Sequence, residues 1–200
     1  MSELKFEPFE KMSRMKRECT ITEKIDGTNA QILFDAEGNL LVGSRKREIW
    51  PEGTEDKPKG CDNAGFARWV YEHREALFEF LGEGRHFGEW CGGKIQRGYR
   101  IIEKHFLLFN ISRFGPDRQV IPEGLSEAGL GVVPVLYNGV FTTDSVDSVM
   151  AELKENGSSF VSGFMNPEGV VVYHHALRTY FKVTYEHDYT GKGKNRQSPS

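Results

Sequence analysis

Lys24 stands in the stretch Glu23-Lys24-Ile25-Asp26-Gly27-Thr28-Asn29, between the apolar, strand-like runs 19–22 and 30–34. That places a lysine at a strand end, with a carboxylate two residues on and an asparagine just beyond. A lysine amine is a nucleophile once its ammonium loses a proton, which nearby cations and partial desolvation favour. The same residues also read as a simple hairpin, because Asp-Gly is a strong turn signal. On this stretch alone both readings stand.

Other charged residues sit in or beside apolar strands, where a charge is costly unless paired or used. They are Arg45, Glu89, Glu168 and Lys182. Singly, each reads as a solvated edge or a structural ion pair. Jointly with Lys24 they have one chemical use. Two lysines and an arginine neutralise a triphosphate and the charge that develops during its transfer. Two carboxylates, Glu89 and Glu168, suit ribose hydroxyls and a hydrated divalent cation, which prefers oxygen ligands. Phe109, in an apolar run, either fills the core or stacks on a base.

These residues need a frame to hold them. Asp35 to Asn39 is a polar turn before a strand at Leu40-Leu41-Val42, which delivers the positive burst Arg45-Lys46-Arg47. Residues 51–62 read as a loop. Asn63 is the expected N-cap of one helix whose face is Phe66, Trp69, Val70, Leu77, Phe80 and Leu81, ending at Gly82. A strand over 85–90 leads into the glycine-rich loop 91–99, and 106–111 reads as a buried strand. A weaker strand covers 132–136. A second helix, capped by Asp144, carries Val146, Val149, Met150 and Leu153 and ends at Gly157. Residues 168–173 and 179–183 form a final strand pair. Phe6, Phe9, Met12 and Met15 are spaced for one face of a lead-in helix. The expected organisation is one domain over 1–189 and a flexible basic tail over 190–200.

The chain has 200 residues, 38% of them hydrophobic, and a net charge of −3. No global positive field is available to draw in nucleic acid, so any such site is a local patch. Candidates are Arg45, Lys46, Arg47, Lys94, Arg97, Arg100 and Lys104, with Tyr99 to stack on an end base; the alternative is a solvated charged rim. Three cysteines without a Cys-x-x-Cys pair argue against a disulfide framework. No signal peptide or membrane-length apolar run is present, so a cytoplasmic location and no membrane contact are expected. No protein partner is legible.

The series Lys24-x-Asp26-Gly27-x-Asn29, Ser44-Arg45, Phe87-Gly88-Glu89, Phe109-Asn110, Glu168-Gly169-Val170-Val171 and Phe181-Lys182 resembles the covalent nucleotidyltransferases. These are the ATP-dependent RNA and DNA ligases and the messenger-RNA capping enzymes. The resemblance is nearest to small phage-type RNA ligases and runs over about residues 20–184. It implies an α+β fold of the DNA ligase and capping enzyme type, in the broad manner of ATP-grasp enzymes. Antiparallel sheets would form a nucleotide-binding cleft, with helices outside. It implies ATP and magnesium or manganese as cofactors. The partner would be a nucleic acid with 5′-phosphate and 3′-hydroxyl ends, RNA ahead of DNA. By the same resemblance Lys24 forms a lysyl-AMP. Glu23 reads the adenine amino group, and Asp26 and Asn29 orient the lysine, phosphate and metal waters. Arg45 meets ribose and phosphates, Glu89 the ribose, Phe109 the adenine face, Glu168 the metal and Lys182 the α-phosphate. Arg47, Lys94, Arg97 and Arg100 are the nucleic-acid candidates. Thr184 stands where such enzymes carry a second lysine. The chain also ends soon after Lys182, so a minimal adenylylation domain is expected. A DNA ligase with the same chemistry, or a non-catalytic nucleotide- or RNA-binding remnant, is the alternative.

Overall fold

The protein is described here from a computed structural model, over residues 6–9, 11, 16–51, 61–115 and 117–188. In chain order, β1 is Glu18–Glu23, β2 Thr28–Phe34 and β3 Leu40–Ser44. Helices α1 (Phe66–Glu72) and α2 (Arg74–Leu81) follow, then β4 (Gly84–Gly92) and β5 (Lys104–Leu108). Next come α3 (Ile111–Phe114), α4 (Glu123–Glu127), β6 (Leu130–Val132) and β7 (Val135–Val140). The chain continues through α5 (Thr143–Asn156), β8 (Gly169–His174) and β9 (Thr179–Thr184). The strands form two sheets, β7-β1-β8-β9 and β3-β2-β4-β5-β6. All pairings are antiparallel except β5 with β6. The α+β architecture follows the expectation.

Alternation along the strands divides the residues between cleft and core. On β2 and β4, Ala30, Ile32, Phe34, Gly88 and Trp90 turn to a core under α1 and α2, which supply Phe66, Trp69, Val70, Leu77 and Leu81. On β1 and β8, Cys19, Ile21, Val170 and Val172 turn to α5, which supplies Val146, Val149, Met150 and Leu153. Each fully buried Ile, Val, Leu, Met or Phe side chain among them contributes about 1.5–3 kcal/mol. A third cluster joins the two halves: Ile25, Cys91, Tyr99, Leu107, Val133 and Phe164. The opposite strand faces carry the polar residues and line a cleft of about 1290 Å³.

The stretch around Lys24 is not a hairpin. β1 and β2 belong to different sheets, and residues 24–27 carry the chain across between them. A second crossing lies beside the first. The expected strand over 132–136 divides at Val133-Pro134 into β6 of one sheet and β7 of the other. The two crossings are tied by Glu23 N–H, which donates to the Pro134 carbonyl at 3.0 Å. Proline lacks an N–H for a strand ladder, so a break here is natural.

Helix boundaries differ from the sequence expectation by a few residues. The single helix over 66–81 is two, parted at His73, whose backbone leaves the helical region (φ −110°, ψ 16°). Asp62, not Asn63, serves the helix start: its Oδ1 accepts from Ala67 N at 2.7 Å. Thr142, not Asp144, caps α5, through a reciprocal capping box with Ser145, while Asp144 occupies the first turn. β5 ends at Leu108, because Asn110 Oδ1 accepts from Arg113 N and starts α3. Phe6 and Phe9 are exposed and not helical. Met12, Met15 and the tail 190–200 lie outside the described residues.

Candidate active site

Lys24 follows directly on β1, where its N–H still bonds the Gly169 carbonyl at 2.8 Å. Its Nζ lies 2.6 Å from Glu168 Oε2, an ion pair with both side chains about one-fifth exposed (23% and 18%), and Lys24 lines the cleft. The backbone bond sets Lys24 beside the start of β8, so the residue just before that strand, Glu168, meets it. Gly169 has φ +147°, and a Cβ there would lie 2.1 Å from the Val183 carbonyl oxygen, so only glycine fits.

Glu89 is the second carboxylate of the site and is buried on β4. Its two oxygens accept from Gly27 N at 3.2 Å and Asn29 Nδ2 at 2.8 Å. Burial dominates and pushes its pKa up to about 7, against the pull of Lys24 and the two hydrogen bonds; Glu168 adds a smaller push in the same direction. Asn29, paired opposite Glu89 in the β2–β4 ladder, thus orients a carboxylate.

The residues on either side of Lys24 are braced. Glu23 is 1% exposed. Its carboxylate accepts from Ser158 Oγ at 2.7 Å, Ser159 N at 2.8 Å and Phe160 N at 3.2 Å. Burial raises its pKa, with those three bonds opposing. This carboxylate, which the resemblance assigns to an adenine amino group, has both oxygens engaged by the turn at 158–160, and Glu23 also lines the cleft. On the other side, Asp26 N donates to Tyr99 Oη at 2.8 Å, and the Asp26 carboxylate pairs with Arg97 Nε at 2.9 Å. Tyr99 meets Phe160 edge-on, centroids 5.4 Å apart, which closes the brace behind Lys24. At Gly27 a Cβ would lie 2.4 Å from the Trp90 carbonyl oxygen, so the crossing must pass close against β4.

Arg45, Phe109 and Lys182 all line the same cleft. Phe109 is partly buried, its N–H on the Phe87 carbonyl at 3.0 Å. Lys182 is exposed on β9, opposite Val171. Thr184 is buried, and its N–H and Oγ1 both bond Asp188 Oδ2, at 3.0 and 3.1 Å. Position 184 is thus closed off from the cleft by the turn that follows β9.

The basic patch does not gather at the cleft. Of the seven cations considered, Arg45 lines it. Arg97 pairs with Asp26 and with Glu186, Nη2 to Oε1 2.5 Å. Lys104 donates to the Ala64 carbonyl at 2.7 Å, in a different groove. Lys46, Arg47, Lys94 and Arg100 are exposed away from the cleft lining. Tyr99 is fully buried in the joining cluster and cannot stack on an end base. Its role behind Lys24, like those of Arg97 and Ser158, escaped sequence reasoning. The one local signal was a tyrosine among glycines and charges in the loop after β4.

Residues 17–184 match the model of the RNA ligase family, and the chain belongs to that family. The fold is also that of solved RNA ligases from Naegleria gruberi. A variant with ATP and manganese is 20% identical, over 84% of this chain and 50% of that one, with a TM-score of 0.58. The enzyme with pyrophosphate is 20% identical over 84% and 49%, at 0.55. A variant with AMP and manganese is 19% identical over 84% and 49%, at 0.54. The chain spans about half the length of these ligases. No curated protein sequence matches it. Among the described residues no helix is long and apolar enough to cross a membrane.

Proposed function

We propose that this chain is the adenylylating part of an ATP-dependent RNA ligase that works through a covalent lysyl-AMP. The observation that carries the proposal is Lys24 Nζ at the cleft between the two sheets, 2.6 Å from Glu168 and near the buried Glu89. In the first step the Lys24 amine forms a bond to the α-phosphorus of ATP, and the bond to the bridging oxygen breaks to release pyrophosphate. The proton lost from Nζ leaves to solvent or phosphate. In the second, a 5′-phosphate oxygen displaces lysine and takes the AMP. In the third, a 3′-hydroxyl oxygen attacks the 5′-phosphorus, AMP departs and the strand is sealed.

The ion pair with Glu168 must part before Lys24 reaches phosphorus, so ATP phosphates and Glu168 compete for the ammonium. Lys182 and Arg45 offset the phosphate charge, and Phe109 offers the base a face. Phosphoryl and nucleotidyl transfer rest mainly on this positioning and electrostatics. The donor set fits a hard divalent cation. Glu168 Oε1 accepts no hydrogen bond among the described residues, while both Glu89 oxygens already accept one. No cluster of three or more potential ligands occurs among those residues, so Glu168, with Glu89 second, would hold magnesium or manganese jointly with phosphate oxygens. Bound there, the ion supplies neutralisation of phosphate charge.

A DNA ligase would use the same residues and differ in the strand accepted. A non-catalytic remnant draws on one observation, the buried Thr184 in place of a second phosphate-binding lysine. Incubation with α-labelled ATP and magnesium, followed by denaturation, separates the readings. The proposal expects label on the protein that is absent in Lys24→Ala and is discharged by nicked RNA faster than by nicked DNA. No label would favour the remnant, and faster discharge by DNA the DNA ligase.

A further inference from the structure

The cleft is larger than one nucleotide requires: about 1290 Å³, against roughly 300–1,000 Å³ for small-molecule sites. Its outer part has its own chemistry. Tyr173 on β8 and Tyr180 on β9 are ladder partners, ring centroids 4.6 Å apart at 36°. His175 lies 5.3 Å from Tyr173 and extends the group. Tyr180 is 61% exposed, although burying it would be favourable. Thr20, paired with Tyr173, lies four residues before Lys24 on β1, so the rings stand about 13 Å along the strand from the nucleophile. Across the cleft, Arg85 and Arg118 line the wall and are exposed; Asp117 is the anion there.

Accessible aromatic faces and cations lining one cleft suit unpaired nucleic acid, because every base has a π-face and every linkage a phosphate. We propose that Tyr173 and Tyr180 are a stacking platform for an unpaired base of RNA, a second base site in the cleft beyond the one ascribed to ATP. The inference rests on the ligase reading for its choice of RNA. It does not depend on Lys24 being the nucleophile.

The test is fluorescence anisotropy with a labelled single-stranded RNA of about ten nucleotides. It is run on the full chain beside the α-labelled ATP assay. Tyr180→Ala is expected to weaken RNA binding about tenfold. Tyr180→Trp, which keeps a stacking face, is expected to bind as the unaltered protein does. Label from ATP should be equal in all three. Equal RNA binding by the alanine variant, or no binding by the unaltered protein, would overturn the platform. A loss of ATP label matching the loss of RNA binding would also overturn it, by showing that the rings serve ATP or the fold. RNA binding that depends on Tyr180 in a protein that takes no label would support the platform and sink the ligase reading alone.

Discussion

Glu89 is a carboxylate whose buried environment takes it far from its chemistry in water. Its folded pKa of about 7 lies above the ordinary 4.5, so the folded state holds the proton more tightly than the unfolded one. The resulting stabilisation is complete below pH 4.5 and is lost as pH rises through 7. Its size is at most about 3 kcal/mol. Denaturant titrations should show the unaltered protein losing stability across that range relative to Glu89→Gln, whose side chain does not titrate. Parallel pH profiles would contradict the assignment. Lys182 is exposed, so its removal costs rate rather than fold: Lys182→Ala is expected to slow single-turnover adenylylation about 10- to 100-fold. Unchanged kinetics would remove it from the phosphate site.

Among the elements, the crossing from β1 to β2 does most to define the site, and it is the element that local reading gets wrong. Asp26-Gly27 carries a turn signal, but whether the flanking strands pair with each other depends on β4 and β8, some 60 and 145 residues away. Strand positions and α5 were legible because alternation and the i, i+3, i+4, i+7 pattern are local. Of the site, the types and order of Lys24, Glu89, Phe109, Glu168 and Lys182 were legible from the resemblance. The brace was not, since the Tyr99–Asp26 and Glu23–Ser158 contacts join positions 73 and 135 residues apart. Gly27 serves by close approach, so Gly27→Ala must displace the crossing or β4. A loss of about 1–3 kcal/mol in denaturant titration is expected, with a fall in labelling. Wild-type stability would refute the packing of this crossing. Thr184 gives the complementary prediction. Because its side chain is closed off and bonded to Asp188, Thr184→Lys does not restore a second cation to the cleft. It buries a charge instead, and stability should fall by about 2 kcal/mol or more without a gain in adenylylation rate. A faster enzyme of normal stability would show that position 184 does reach the phosphates.

At the scale of the molecule, two sheets with separate cores meet at one joining cluster, and the Lys24 segment crosses between them at that joint. Lys24 comes from the crossing, Glu168 from the approach to β8 and Glu89 from β4, so the site exists only while both sheets keep their relation. The same arrangement leaves a cleft open along the faces of both sheets, with polar residues and cations lining it in a chain whose net charge is −3. Whether Lys24 carries AMP separates the ligase from the non-catalytic remnant. The direct measurement is peptide mapping by tandem mass spectrometry after incubation with ATP and magnesium. Adenylate should be found on the peptide containing Lys24, assigned to Nζ, and be absent without ATP. Adenylate on another residue, or none on a folded protein, would contradict the account.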